Sequence, residues 1–115
     1  MASAVPPRGR RLHQGWQFRE VYQSGKPLHG TLMSLVTLSK SEDQSRVAYV
    51  ASRKVGGAVQ RNRAKRLLRE AYRATPRETR DSPYWRIWIA RAPCAVACLG
   101  DVAQEMSRLL SREPS

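Results

Sequence analysis

The 115-residue chain is long enough for one domain with a thin core and too short for two. Twenty-one Lys and Arg against nine Asp and Glu leave a net charge of +12, a self-repulsion that favours a polyanionic partner: nucleic acid first, an anionic membrane surface second. No stretch approaches the ~20 apolar residues of a spanning helix, and the basic start with Arg8, Arg10 and Arg11 meets no apolar run of secretory type, so a cytoplasmic protein without a membrane partner is expected.

Residues 1–11, with Pro6, Pro7 and Gly9, read as a flexible basic arm, and residues 12–112 as a single domain. Gln14 to Ser24 suits a short helix with Phe18, Val21 and Tyr22 on one face and Gly25 as its C-terminal glycine. Leu32 to Ser39 is an aliphatic, β-branched run fit for a strand. A polar loop, Lys40 to Ser45, separates it from Arg46 to Ser52, read as its hairpin partner with Val47, Tyr49 and Ala51 on one face. Gly56 and Gly57 break the pattern before a helix over Ala58 to Ala74, which Thr75-Pro76 ends. After a loop at Thr79 to Pro83, Trp85 to Arg91 reads as another strand. Trp85, Ile87 and Ile89 share one of its faces, Arg86 and Trp88 the other, and both tryptophans read as packing residues. Gly100-Asp101 opens a last helix with a capping-box-like Asp101 to Gln104 spacing and an apolar stripe of Val102, Met106, Leu109 and Leu110.

Cys94 and Cys98 stand four apart, with His13 and His29 at no ligand-like spacing, so free, partly buried thiols are expected and no protein metal site. From Arg53 to Arg73 there are eight basic residues, Arg53, Lys54, Arg61, Arg63, Lys65, Arg66, Arg69 and Arg73, against the single acid Glu70. At about 100° per residue, Asn62, Lys65, Arg66, Arg69 and Arg73 fall in one stripe. Arg61 and Arg63 flank it, and Ala64, Leu67, Leu68, Ala71 and Tyr72 oppose it. A solvated helix face normally mixes signs, because like charges at i,i+4 repel by a few tenths of a kcal/mol. Phosphates are the natural counter-charge, and arginine adds bidentate geometry. The glycine pair fits either an ordinary strand-to-helix turn or a close approach of phosphate to the helix start.

The string RKVGGAVQRNRAKRLLREA, Arg53 to Ala71, resembles the signature of the bacterial ribonuclease P protein family: a basic pair, a glycine turn, Ala-Val, Arg-Asn-Arg, then Lys-Arg and Arg at helical spacing. Arg11-Leu12, Phe18-Arg19-Glu20-Val21-Tyr22 and Ile89-Ala90-Arg91 extend the resemblance across most of residues 11 to 110. It implies an α/β (α+β) two-layer sandwich of order αβββαβα, whose central four-stranded sheet carries the basic helix in a left-handed βαβ crossover, against the usual right-handed rule. It further implies that Arg61, Asn62, Arg63, Lys65, Arg66 and Arg69, with Arg73 on the same stripe, contact a catalytic RNA. A cleft lined by Phe18 and Tyr22, with Arg53 and Lys54 nearby, would hold the single-stranded 5′ leader of precursor tRNA. Hydrolysis would belong to the RNA and its Mg²⁺ ions, with no catalytic residue and no organic cofactor in the protein. From residues alone, Phe18 and Tyr22 read as half of a core stripe, and Val36 stands where the family often carries an aromatic.

Other classes fit less of the pattern. A generic RNA-binding or ribosomal-type protein without an enzymatic partner accounts for the charge, but does not need an Asn fixed inside the basic stripe. A self-sufficient nuclease needs clustered carboxylates or a general base, whereas the acids here are scattered. A helix-turn-helix DNA binder would place a second helix beside the basic one, where strands are expected instead.

Overall fold

Period-two alternation in the apolar runs is resolved by a four-stranded mixed sheet with helices packed on it. The computed structural model describes residues 11–12, 14–41 and 43–114. Helix α1 (Gly15–Ser24) leads into β1 (Lys26–His29), β2 (Met33–Ser39) and β3 (Arg46–Ala51). A 3-10 turn (Arg53–Val55), α2 (Ala58–Arg73) and the single-turn α3 (Arg77–Arg80) follow. The chain continues through β4 (Tyr84–Ala90), a second 3-10 turn (Ala92–Val96) and α4 (Leu99–Leu110). Of the basic arm expected at 1–11, only Arg11 is among the described residues, and it makes an isolated bridge to Val47.

The strand order is β1-β2-β4-β3, with β1/β2 and β2/β4 antiparallel and β3/β4 parallel. The expected hairpin between the second and third strands is therefore wrong. β4 lies between them, in register Leu35↔Trp88 on one side and Tyr49↔Trp88 on the other. Alternation assigns faces and not partners. β4 takes the centre because both of its faces are apolar, with Trp85 and Ile87 buried on one and Trp88 and Ala90 on the other. The faces expected for β3 and β4 are as found. The parallel pair β3–β4, bridged through α2, is the βαβ unit that the resemblance implied.

One sheet face, with Leu28, Met33, Leu35, Trp88 and Ala90, packs under Ala64, Leu68, Ala71 and Tyr72 of α2 and Val102, Met106, Leu109 and Leu110 of α4. The opposite face, with Val36, Ala48, Trp85 and Ile87, is covered in part by Val21 of α1 and by Leu12. Two buried carboxylates pin the ends. The Glu105 carboxylate on α4 accepts the backbone N–H groups of Thr31, Leu32 and Met33 at 3.2, 2.7 and 3.0 Å, closing the β1–β2 turn. After α4, Glu113 reaches back to Arg86, which is fully buried on β4.

Gly25 ends α1 as expected, with extended backbone (φ −79°). A side chain there would bring a Cβ to 2.4 Å from the Val21 carbonyl oxygen, so close backbone approach requires the glycine. Two other boundaries differ from expectation. The expected loop at 79–83 begins inside a helical turn, in which Arg77 pairs with Asp81 at 3.4 Å. Helix α4 starts at Leu99 behind Cys98, two residues before the expected capping box. Asp101 instead lies in the first turn, where a carboxylate complements the helix dipole.

Candidate nucleic-acid interface

The route into α2 is set by local backbone chemistry. The Ser52 hydroxyl accepts the Lys54 N–H at 3.3 Å, Val55 inserts into the core, and Arg53 and Lys54 are left exposed. Gly56 has φ +143°, the only positive φ among the described residues, and Gly57 then caps the helix with extended φ −75°. Without a side-chain cap at Gly57, the first amides of α2 face outward beside two cations.

Helix α2 divides as the wheel predicts. Ala64, Leu68, Ala71 and Tyr72 are buried, while Asn62, Arg63, Arg66, Arg69 and Arg73 are exposed and Arg61 and Lys65 are half-buried. Among the described residues no ion pair engages any cation of this helix; the pairs present lie elsewhere, at Lys40–Glu20, Arg46–Asp43, Arg77–Asp81, Arg86–Glu113 and Arg108–Glu105. Arg66 and Glu70, spaced for an attractive pair, do not form one. Two arginines have partial internal duties. Arg63 Nε donates to the Ala95 carbonyl at 2.7 Å, which leaves its terminal nitrogens outward, and the Arg69 guanidinium lies 5.5 Å over the Tyr49 ring. Burial pushes the Tyr49 hydroxyl well above its ordinary pKa, so it stays neutral under that cation.

On the other sheet face, α1 turns Gln17 and Val21 inward. Phe18 and Tyr22 lie together on one flank of the helix and differ in burial. Phe18 is half-buried against the core cluster that includes the half-buried Val50 and Ile89, whereas Tyr22 is 49% exposed. Helix α1 packs on β2 and β4, and beside Phe18 the half-buried Val50 of β3 and Ile89 of β4 leave a partly open strip of sheet, a shallow trough. Strand β3 runs on through Ser52 into Arg53 and Lys54, so the 52–57 connection joins this strip to the cationic helix along the chain.

Three residues, Glu105, Glu113 and Trp16, escaped sequence reasoning. Glu105 and Glu113 lay unnoticed among scattered acids, because the groups they satisfy are 72 to 74 and 27 residues away in sequence. Trp16 is 49% exposed beside Trp85, and its only sequence signal was an aromatic two residues before Phe18. Cys94 is buried and Cys98 exposed, both as free thiols; burial pushes the Cys94 thiol up to about 11. Among the described residues no three His, Cys, Asp or Glu side chains converge as metal ligands, and no helix is long and apolar enough to cross a membrane.

Comparison with known proteins places this geometry in context. The family model described as "Ribonuclease P" matches residues 7–113. The ribonuclease P protein component of Clostridioides difficile (strain 630) is 34% identical over 105 residues, covering 91% of this chain and 92% of that protein. The component of Dehalococcoides mccartyi (strain CBDB1) is 37% identical over 103 residues, covering 89% and 82%. Among solved structures, the RNase P protein from Thermotoga maritima superposes with a TM-score of 0.78 at 25% identity, covering 91% of this chain and 98% of that one. A Staphylococcus aureus RNase P protein superposes at 0.77 with 23% identity, covering 90% and 94%, a likeness of fold.

Proposed function

The chain belongs to the ribonuclease P protein family, and from that premise we propose that it is the protein subunit of a ribonuclease P, binding the catalytic RNA through α2 and the 5′ leader of precursor tRNA along the trough beside α1. The observation that carries this reading is the α2 face, which presents seven polar and cationic side chains with no ion pair to any of them among the described residues. In that role Arg61, Asn62, Arg63, Lys65, Arg66, Arg69 and Arg73 meet RNA phosphates and groove edges. Each neutralised phosphate releases condensed counterions, so affinity falls steeply with salt. Arg63 contributes only its terminal nitrogens, since Nε is held by Ala95.

The leader lies single-stranded across the trough, against Phe18 and Tyr22, with Arg53 and Lys54 at its phosphates. Stacking on exposed aromatics tolerates any base, and Tyr22 has the greater exposed surface for it. Burial of Phe18 against Val50 and Ile89 supports a double role, part core and part trough wall. Hydrolysis of the phosphodiester is assigned to the catalytic RNA with Mg²⁺ held by RNA and substrate; the protein raises affinity for precursor tRNA and for the metal. Its place of work is the cytoplasm.

The test is reconstitution with a bacterial ribonuclease P RNA at low Mg²⁺, scored by release of the 5′ leader. Protein must stimulate cleavage and be silent alone; metal-dependent cleavage without RNA would overturn the division of labour. Lys65→Ala with Arg66→Ala should make the slope of log affinity against log salt shallower by roughly one per lost contact. Phe18→Ala should weaken precursor tRNA more than mature tRNA. Binding without any stimulation of cleavage would leave a plain RNA-binding protein.

A further inference from the structure

Helix α1 has a second flank. Advancing about 100° per residue with Gln17 and Val21 against the sheet puts Phe18 and Tyr22 on one side and Trp16 and Glu20 on the other. On that far side, away from the trough, lies a hollow of about 380 Å³ lined by Trp16, Ser39, Lys40, Ser41, Asp43 and Trp85. Its size falls in the ~300–1,000 Å³ range of small-ligand sites. We propose that this hollow is a second nucleotide site, in which an unpaired RNA base stacks on Trp16 with its phosphate toward Lys40; the proposal rests on the RNA-binding reading above and extends it to a place that reading does not use.

The geometry is that of a held platform. The Trp16 ring sits 5.8 Å from the Trp85 ring at 59°, and its Nε1 donates to Gln14 Oε1 at 3.2 Å, so its orientation is fixed although half its surface is open. Trp85 is buried and donates its own Nε1 to Asp43 at 3.1 Å. The chemistry of the walls selects the ligand. Two aromatic rings and a carboxylate would suit a cation, but cations already occupy the Trp85 ring, Lys40 at 4.6 Å and Arg46 at 5.7 Å. The rim of serine hydroxyls, ammonium and carboxylate is too polar for an apolar peptide side chain. A planar ring with hydrogen-bonding edges and an attached anion satisfies every wall. Lys40 is paired with Glu20 at 2.7 Å through one of its three donors, which leaves two for a phosphate. A mere cover for Trp85 would need only an apolar side chain, not an indole with an open face.

The probes are end-labelled oligouridylate and oligoadenylate hexamers with the full chain, followed by fluorescence anisotropy of the label. Trp16→Leu keeps an apolar cover over Trp85 and removes the stacking face; Trp16→Phe keeps both. Trp16→Leu should lower hexamer affinity at least about fivefold with an unchanged thermal midpoint, and Trp16→Phe should recover most of it. Two sources of the base separate in the holoenzyme. A loss seen only with precursor tRNA carrying a long leader identifies leader nucleotides, and a loss seen with catalytic RNA alone identifies a loop of that RNA. Wild-type affinity of Trp16→Leu for hexamers, long-leader precursor and catalytic RNA would overturn the proposal. If Phe18→Ala and Arg66→Ala still weaken binding in that case, only the second site fails; if none of the three matters, the RNA-binding reading itself fails.

Discussion

Glu113 and Arg86 meet in a fully formed fork: Nε and Nη2 of Arg86 each donate to one carboxylate oxygen at 2.7 Å, while Nη1 donates to the Tyr72 hydroxyl and Thr37 adds its hydroxyl to Glu113. Arg86 is 0% exposed, so its charge depends on these groups for every solvation it has lost. Removing one member of such a pair leaves the other buried and uncompensated. Glu113→Ala should therefore destabilise the fold by about 3–5 kcal/mol in urea unfolding, far more than an ordinary residue near a C-terminus. Replacing both partners, Arg86→Met with Glu113→Leu, should recover most of that loss, since apolar pairs of similar volume need no solvation. A single-variant loss below about 0.5 kcal/mol would mean that the tail is not docked.

At the scale of the element, the interface depends on how α2 is entered. Gly56 holds φ +143° and ψ −159°, a region that essentially only glycine visits. An added Cβ would also lie 2.9 Å from Gln60 Cβ, one turn into the helix. Gly57 differs: its backbone is ordinary, and its nearest neighbour is the flexible Gln60 amide tip at 3.3 Å. Thermal unfolding should therefore separate the two adjacent glycines, with Gly56→Ala costing about 1–3 kcal/mol and Gly57→Ala much less. Equal losses would show that crowding at the helix start, and not backbone conformation, sets the requirement. The cationic stripe and the buried line of Ala64, Leu68, Ala71 and Tyr72 are both legible in the order of residues alone, because a helix's faces follow from its own period.

For the molecule as a whole, a charge of +12 on one small domain has two consequences of opposite sign in salt. The free protein repels itself, and the described residues hold few ion pairs to offset this. Adding salt up to a few tenths molar, where the Debye length is below about 10 Å, should raise its thermal midpoint. Over the same range its affinity for RNA should fall, because counterion release is the driving term. A midpoint that falls with salt would mean that the surface pairs outweigh the net repulsion. Bound RNA should raise the midpoint at low salt and lose that effect as salt increases.

Composition, periodicity and the Arg53 to Ala71 string by themselves determined the class of partner, the α/β plan, the cationic face of α2 and the family. Each is a property of a short stretch of chain, or of the chain's total charge. Only the tertiary structure decided which strands pair, and that β4 and not the next strand lies beside β2, since alternation names a face and leaves the neighbour open. It alone found the partners of Glu105 and Glu113. It also divided Phe18 from Tyr22 by burial and Trp16 from both by the flank of α1. These depend on contacts between residues distant in sequence, and burial of a charge or exposure of a ring is defined only once the other layer is in place.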